Sequence, residues 1–253
     1  MSTRLMRYCR SLDPYLSALE VSLNAYATIV EPVMGFPRER ELESLSFVAN
    51  YVDCDQACLA LQRFVEQVQG SEVCVVTPGS IVAGLVKEAG CKVVIATDSE
   101  LESLAANGIR PAALVGDADQ SLRLLHMALA LETPYFLHVH GDNTVRAAEV
   151  VRLTRGRGLI LTAQVDNPFC TVPVGAFTDG DRAAVLAMVF SAGSVVTSDI
   201  GTQPVCGHKD YCDPRVKSLK LELGRRVLHS VAAGLGYRVD RADGLLRLTK
   251  SEA

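Results

Sequence analysis

CKVVIATDSELESLAANGIRPAALVGDAD, residues 91–119, reads strand, helix, strand. KVVIAT is a short β-branched run closed by Asp98. SELESLAANG follows as a helix, and IRPAALVGDAD brings the next strand. The pattern continues on both sides. Upstream, SEVCVVT (71–77) is a strand ending at PGS, with IVAGLVKEAG (81–90) as its helix. Downstream come the helix LLHMALALE (124–132), the strand of PYFLHVHGDN (134–143) and the helix TVRAAEVVRLTRG (144–156). The strand GLILTAQV, the helix DRAAVLAMVFSAG and the strand SVVTSDIG (194–201) complete the series. Strands this apolar, alternating with helices, predict a parallel sheet covered on both faces. The expected fold class is therefore α/β, doubly wound, with a mostly parallel sheet.

Three regions are expected. Residues 1–69 read as helical: YLSALEVSLNAYATIV, RELESLSFVANYV and CDQACLALQRFVEQVQ keep the helical period, broken at EPVMGFPRER by Pro32, Gly35 and Pro37. Residues 70–214 form the α/β core. Residues 215–253 read as a helix, then a small hairpin around Ala242, Asp243 and Gly244. The helical N-terminal region is expected to serve as a dimer contact or a lid, which makes a homodimer the assembly to test.

The chain has 253 residues, 49% hydrophobic and 21% charged, with a net charge of −4. A sequence pI near 5.8 argues against a general nucleic-acid binder. No run approaches the roughly 18 apolar residues of a membrane span, and the N-terminus is charged rather than apolar. A cytoplasmic, soluble protein is the expectation. The eight cysteines lack the density of a secreted disulfide scaffold. Cys74 and Cys91 read as small buried hydrophobes. Cys54 and Cys58 share a helix face. Cys206, His208 and Cys212 are loosely metal-like without a second ligand pair, and Cys206 with Cys212 also suits a disulfide.

In open α/β sheets, ligands bind beyond the carboxyl ends of the strands. Pro78, Gly79 and Ser80 follow the first strand here, and Thr97, Asp98 and Ser99 the second. Gly116, Asp117 and Asp119 follow the third. His138, His140, Gly141, Asp142 and Asn143 follow the fourth. Gln164, Asp166 and Asn167 come next, then Thr178, Asp179, Asp181 and Arg182. Single aspartates at such places cap helices, as Asp98 is expected to do, and Asp142 or Asn143 suits the same role. Capping does not call for pairs at i and i+2, which GDAD and DGD both supply. Clustered carboxylates repel unless a cation or proton lies between them, and Mg²⁺ binds through one or two carboxylates plus phosphate oxygens. A nucleotide–Mg²⁺ site is the reading that follows. Gly79 would let the backbone approach an anion, although no P-loop is present. Arg182, Arg146 or Lys217 would assist with phosphate.

PGS at 78–80, GIRPAALVGDAD at 108–119, HVHGDN at 138–143 and FTDGDRAAVLA at 177–187 together resemble the archaeal 6-hydroxymethyl-7,8-dihydropterin diphosphokinases. Those enzymes are related in fold to thiamine diphosphokinases. The resemblance implies Mg²⁺-dependent transfer of diphosphate from ATP to a reduced pterin, giving AMP, for a folate or methanopterin-type cofactor. It implies catalytic roles for Asp117, Asp142, Asp179, Asp181 and Arg182, and assigns Asp117, Asp119 and Asp142 to Mg²⁺, directly or through water. Substrate or nucleotide contacts fall to Pro78, Gly79, Ser80, Asp98, His138, His140, Asn143 and Thr178. Asn143, Asn167 or Gln164 would read the pterin edge, and the two histidines would act as a base or as supports for an aspartate. Asp179 or Asp181 would bind a second metal or accept the hydroxyl proton. The rival readings are a thiamine diphosphokinase, a non-catalytic nucleotide-binding module, and a sugar-nucleotide transferase on a related fold.

Overall fold

The computed structural model describes residues 3–78, 86, 89–119, 126–128, 132–198, 206 and 212–251. Among the described residues, seven strands run parallel: β1 (Glu72–Val76), β2 (Val93–Thr97), β3 (Ala113–Gly116), β4 (Tyr135–His138), β5 (Leu159–Ala163), β6 (Val172–Pro173) and β7 (Ser194–Ser198). The hairpin β8 (Tyr237–Ala242) and β9 (Leu245–Lys250) joins antiparallel along β7. Among the described residues the order is β6-β5-β4-β3-β2-β1-β7-β9-β8. The expected mixed α/β sheet is therefore present. Strands β2 to β6 extend the sheet on one side of β1, and β7 returns on the other. The switch point lies at the carboxyl ends of β1 and β7, where the hydroxyls of Thr77 and Ser198 are hydrogen-bonded at 2.8 Å.

The strands are buried on both faces, which explains their unbroken apolar sequences. Val73, Val75, Ile95, Val115, Phe136 and Ile160 face one core, whereas Val76, Val94, Leu114, Leu137 and Leu161 face the other. The period of two along a strand produces this division. The first core is covered by α2 (Leu16–Ile29), α5 (Cys54–Val68) and α8 (Asp179–Val189). The helix α5 starts on Asp53, whose carboxylate accepts from the N–H groups of Asp55 and Gln56. It buries Leu61, Phe64 and Val68 completely, each worth about 1.5–3 kcal/mol. The Phe64 ring meets Phe136 edge-on, with centroids 4.7 Å apart. The second core is covered by α4 (Arg38–Ala49), α6 (Leu101–Ala106) and α7 (Thr144–Thr154). Short helices α1 (Arg4–Tyr8) and α3 (Glu31–Met34) complete the N-terminal region, and Gly35 ends α3 in the left-handed conformation (φ 61°).

Some expectations are corrected. Strand β6 was not anticipated: two residues, one of them proline, carry no period. The expected hairpin is present, and it joins the main sheet. Leu246 and Leu248 are buried, and β9 extends the main sheet. Its turn is made by Asp243 and Gly244, both at positive φ. Asp213 caps α9 (Pro214–Gly234), with Pro214 at its first position. Cys74 and Cys91 are bonded to each other rather than standing as separate small hydrophobes. Cys54 and Cys58 share a helix but pair elsewhere, with Cys170 and Cys9. Cys206 and Cys212 are joined as a disulfide; His208 lies outside the described residues. The helices expected at 81–90 and 124–132, and residues 199–201, lie wholly or largely outside them as well.

Candidate active site

Strand β3 ends at Gly116 and turns through Asp117, Ala118 and Asp119. Ala118 takes a left-handed conformation (φ 65°), and its N–H donates to Tyr135 Oη at 3.2 Å. The N–H of Asp119 donates to Asp117 Oδ1 at 3.3 Å. This turn presents two carboxylates at one strand end, with Asp119 the more exposed.

The neighbouring strand, β4, delivers HVHGDN beside that turn. Asn143 joins the two segments. Its side-chain N–H groups donate to the carbonyls of Asp117 (2.8 Å) and His138 (2.7 Å), and its Oδ1 accepts from the N–H of His140 (2.9 Å). Both amide donors are therefore used on backbone, so Asn143 neither reads a ligand through them nor caps α7 with its side chain.

The two histidines differ. His138 is 4% exposed, and its Nδ1 lies 3.4 Å from the Thr162 hydroxyl. Burial, reinforced by the charges of Arg182 and His140, holds its pKa well below the ordinary histidine value. It is a neutral support under the loop. His140 is partly exposed. Its Nδ1 accepts from the N–H of Asp142 at 3.3 Å, and its Nε2 stands 3.9 Å from Asp117 Oδ2, beyond hydrogen-bond reach. His140 thus stands beside the Asp117 carboxylate. Asp142 turns outward to Arg40 of α4, at 3.3 Å in an exposed pair.

The helix α8 opens the TDGDR segment. Thr178 and Asp181 form a capping box. The Asp181 carboxylate accepts from the N–H groups of Phe177 (2.7 Å) and Thr178 (2.6 Å), and from the Thr178 hydroxyl. It is fully buried, and Gly224 of α9 leaves room for it. Burial pushes its pKa up while these hydrogen bonds oppose the shift. A carboxylate enclosed in this way holds the helix start; it is not presented to a metal or a hydroxyl. Asp179 is the accessible member, paired with Arg182 Nη1 at 3.0 Å. Arg182 is 2% exposed, so its guanidinium lies beneath the surface, close enough to His138 for its charge to be felt.

The remaining expected residues fall as follows. Asn167 is a loop staple: its amide donates to Val165 O, and its Oδ1 accepts from Phe169 N and Thr171 Oγ1. Gln164 donates to Glu41 of α4. Arg146 pairs with Glu149 on the exposed side of α7. Pro78 stands exposed after β1. Gly79, Ser80 and the side chain of Asp98 lie outside the described residues. Glu41 and Arg40 were missed by sequence reading. Glu41 had a signal: it stands on the stripe of Leu45 and Val48, at i, i+4 and i+7, where a charge is out of place.

Among the described residues, no group of three or more His, Cys, Asp or Glu side chains forms a metal cage. The donor set still fits Mg²⁺. Asp117 and Asp119 supply hard oxygens in one turn, and Mg²⁺ takes one or two carboxylates, completing its shell with phosphate and water. No helix among the described residues is long and apolar enough to cross a membrane.

Two curated proteins are similar to this chain. A 6-hydroxymethyl-7,8-dihydropterin pyrophosphokinase of Methanothermobacter thermautotrophicus is 25% identical over 236 residues, covering 88% of this chain and 99% of that protein. A protein of the same name from Pyrococcus furiosus is 34% identical over 102 residues, 40% of this chain and 42% of its own. No family model matches. The resemblance expected from the motifs is present: the chain is a relative of these archaeal proteins, in one case along nearly its whole length.

Proposed function

We propose that this chain transfers the diphosphoryl group of ATP to the hydroxymethyl group of 6-hydroxymethyl-7,8-dihydropterin, releasing AMP. The observation that carries this reading is the Asn143 clamp, which joins the Asp117–Asp119 turn to HVHGDN at the ends of adjacent strands. The similarity to proteins named for this activity supports it. The product would enter a folate or methanopterin-type cofactor.

In this reaction the substrate hydroxyl oxygen attacks the β-phosphorus. A new O–Pβ bond forms, and the bond from Pβ to the bridging oxygen breaks, so that AMP leaves with that oxygen. Such a transfer depends on alignment and charge neutralisation. Bound Mg²⁺ supplies that neutralisation along the polyphosphate. Asp117 and Asp119 would hold the cation, with His140 beside Asp117. Asp179, accessible at the start of α8, accepts the hydroxyl proton. Arg182, 3.0 Å away, holds Asp179 in place.

The test is AMP release from ATP with the reduced pterin, and separately with thiamine, each with and without Mg²⁺. Pterin-dependent, Mg²⁺-dependent AMP is the expected result. Release with thiamine alone replaces the pterin reading. Binding of Mg²⁺–ATP without AMP from either acceptor makes the chain a nucleotide-binding module.

A further inference from the structure

Glu41 is 4% exposed, yet it carries an ionisable carboxyl and lies on the core side of α4. Its Oε1 accepts from the Gln164 amide, and among the described residues its Oε2 is enclosed without a hydrogen-bond partner. Arg182, 2% exposed, has the matching defect: among the described residues its Nε–H is enclosed without an acceptor. The charge of Arg182 is felt at Glu41, but among the described residues Arg182 pairs with Asp179 and not with Glu41. One bare acceptor and one bare donor thus occupy the same buried cluster at the carboxyl ends of the strands. Proteins rarely leave such groups orphaned, and those that persist call for an explanation. The chemistry proposed above uses neither atom. Of the three amides expected to read a pterin, Asn143 and Asn167 are closed into loops, and Gln164 is the one that faces Glu41.

We infer that Glu41, with Gln164 beside it, receives the aminopyrimidinone edge of the pterin and selects that substrate. The inference rests on the pterin reading. The 2-amino group and the adjacent ring N–H are parallel donors, which a carboxylate accepts bidentately, as it accepts an arginine. The exocyclic oxygen on the same ring is an acceptor for Arg182 Nε. Thiamine carries an amino donor beside a bare ring nitrogen, so a carboxylate there meets a lone pair. Admission requires α4 to move, because the cluster is covered. The helix follows Gly35 in its left-handed conformation and Pro37. Its polar ties to the strand ends include Arg40 to Asp142 and Arg38 to the Asp166 carbonyl, both exposed and easily broken.

The experiment compares 6-hydroxymethyl-7,8-dihydropterin with its 2-oxo counterpart, in which a carbonyl replaces the amino group. Wild type and Glu41→Gln are assayed for kcat/KM of AMP release and for pteridine binding by fluorescence. Wild type is expected to prefer the pterin by on the order of 100-fold, and Glu41→Gln to lose all but a few-fold of that preference. ATP binding checks that the variant is folded. If Glu41→Gln does not fold, Glu41→Asp withdraws the carboxylate by one methylene, and its preference must fall at least about tenfold. An active wild type with a folded variant that keeps the full preference overturns this inference alone. A wild type that neither binds nor turns over pterin overturns the proposed function, and this inference with it.

Discussion

The side-chain amide of Asn143 donates to the backbone carbonyl of Asp117 at 2.8 Å, across the gap between two adjacent strand ends. The same amide holds the carbonyl of His138, and its oxygen holds the N–H of His140. Asn143→Ala deprives three backbone groups of this partner, one of them buried and two part-buried. The expected loss is about 2–4 kcal/mol of stability, read as a lower Tm. Activity should fall further than stability explains, because the Asp117 turn and His140 lose their common tether. A variant with wild-type Tm and turnover would show that the clamp is unnecessary.

Asp117→Asn keeps the oxygen that accepts from the Asp119 N–H but removes the charge. Stability should stay within about 0.5 kcal/mol, while kcat falls by on the order of 100-fold or more. Titrating Mg²⁺ should show weaker activation of any residual turnover. Full activity in this variant would remove the assignment of Asp117 to the cation.

The parallel sheet was legible because buried strands such as Val93–Thr97 are apolar on both faces, and turn residues punctuate them. The strand-end rule then located GDAD and HVHGDN. Roles within those motifs were less legible, since one residue type serves several tasks. Asp181 and Asp179 stand two residues apart in DGD. Only packing shows that one is sealed beneath the helix start while the other is accessible. Asn143 offered the same ambiguity, resolved by the carbonyls it meets. Glu41 escaped notice because its hydrogen-bond partner, Gln164, lies 123 residues away, although its place on an apolar stripe was visible.

Gly175 sits three residues before the capping box, pressed against α2. A Cβ there would lie 2.0 Å from the Ser22 carbonyl oxygen, and its own N–H donates to Ser22 Oγ at 3.0 Å. Backbone on both sides leaves little to yield. Gly175→Ala is expected to destabilise by about 1–3 kcal/mol or more. It should also lower kcat by displacing Thr178 and Asp179. A melting curve matching wild type would contradict this close approach.

The Cys54–Cys170 bond joins the start of α5 to the segment before β6, across a separation of 116 residues. Closing so long a loop restricts the unfolded chain, and about 2–4 kcal/mol is expected. Replacing both cysteines with serine should lower Tm by about 5–15 °C. Mass spectrometry of the non-reduced protein should find the two peptides linked. Free thiols at both positions would overturn the pairing.

Glu41 also makes stability depend on pH. Burial raises its pKa above the ordinary glutamate value; the Gln164 hydrogen bond and the charges of His140 and Arg182 oppose this, and Glu31 reinforces it. The folded state therefore holds the proton more tightly than the unfolded chain. The resulting stabilisation is complete below the ordinary glutamate range and is lost as pH rises through the raised value. Glu41→Gln removes that loss, since a neutral amide can still meet Gln164. Its Tm should exceed that of wild type near about pH 8, and the two should converge toward about pH 4. A lower Tm for the variant at every pH would mean that the carboxylate holds the fold together. A charge kept against stability is instead what a substrate receptor requires.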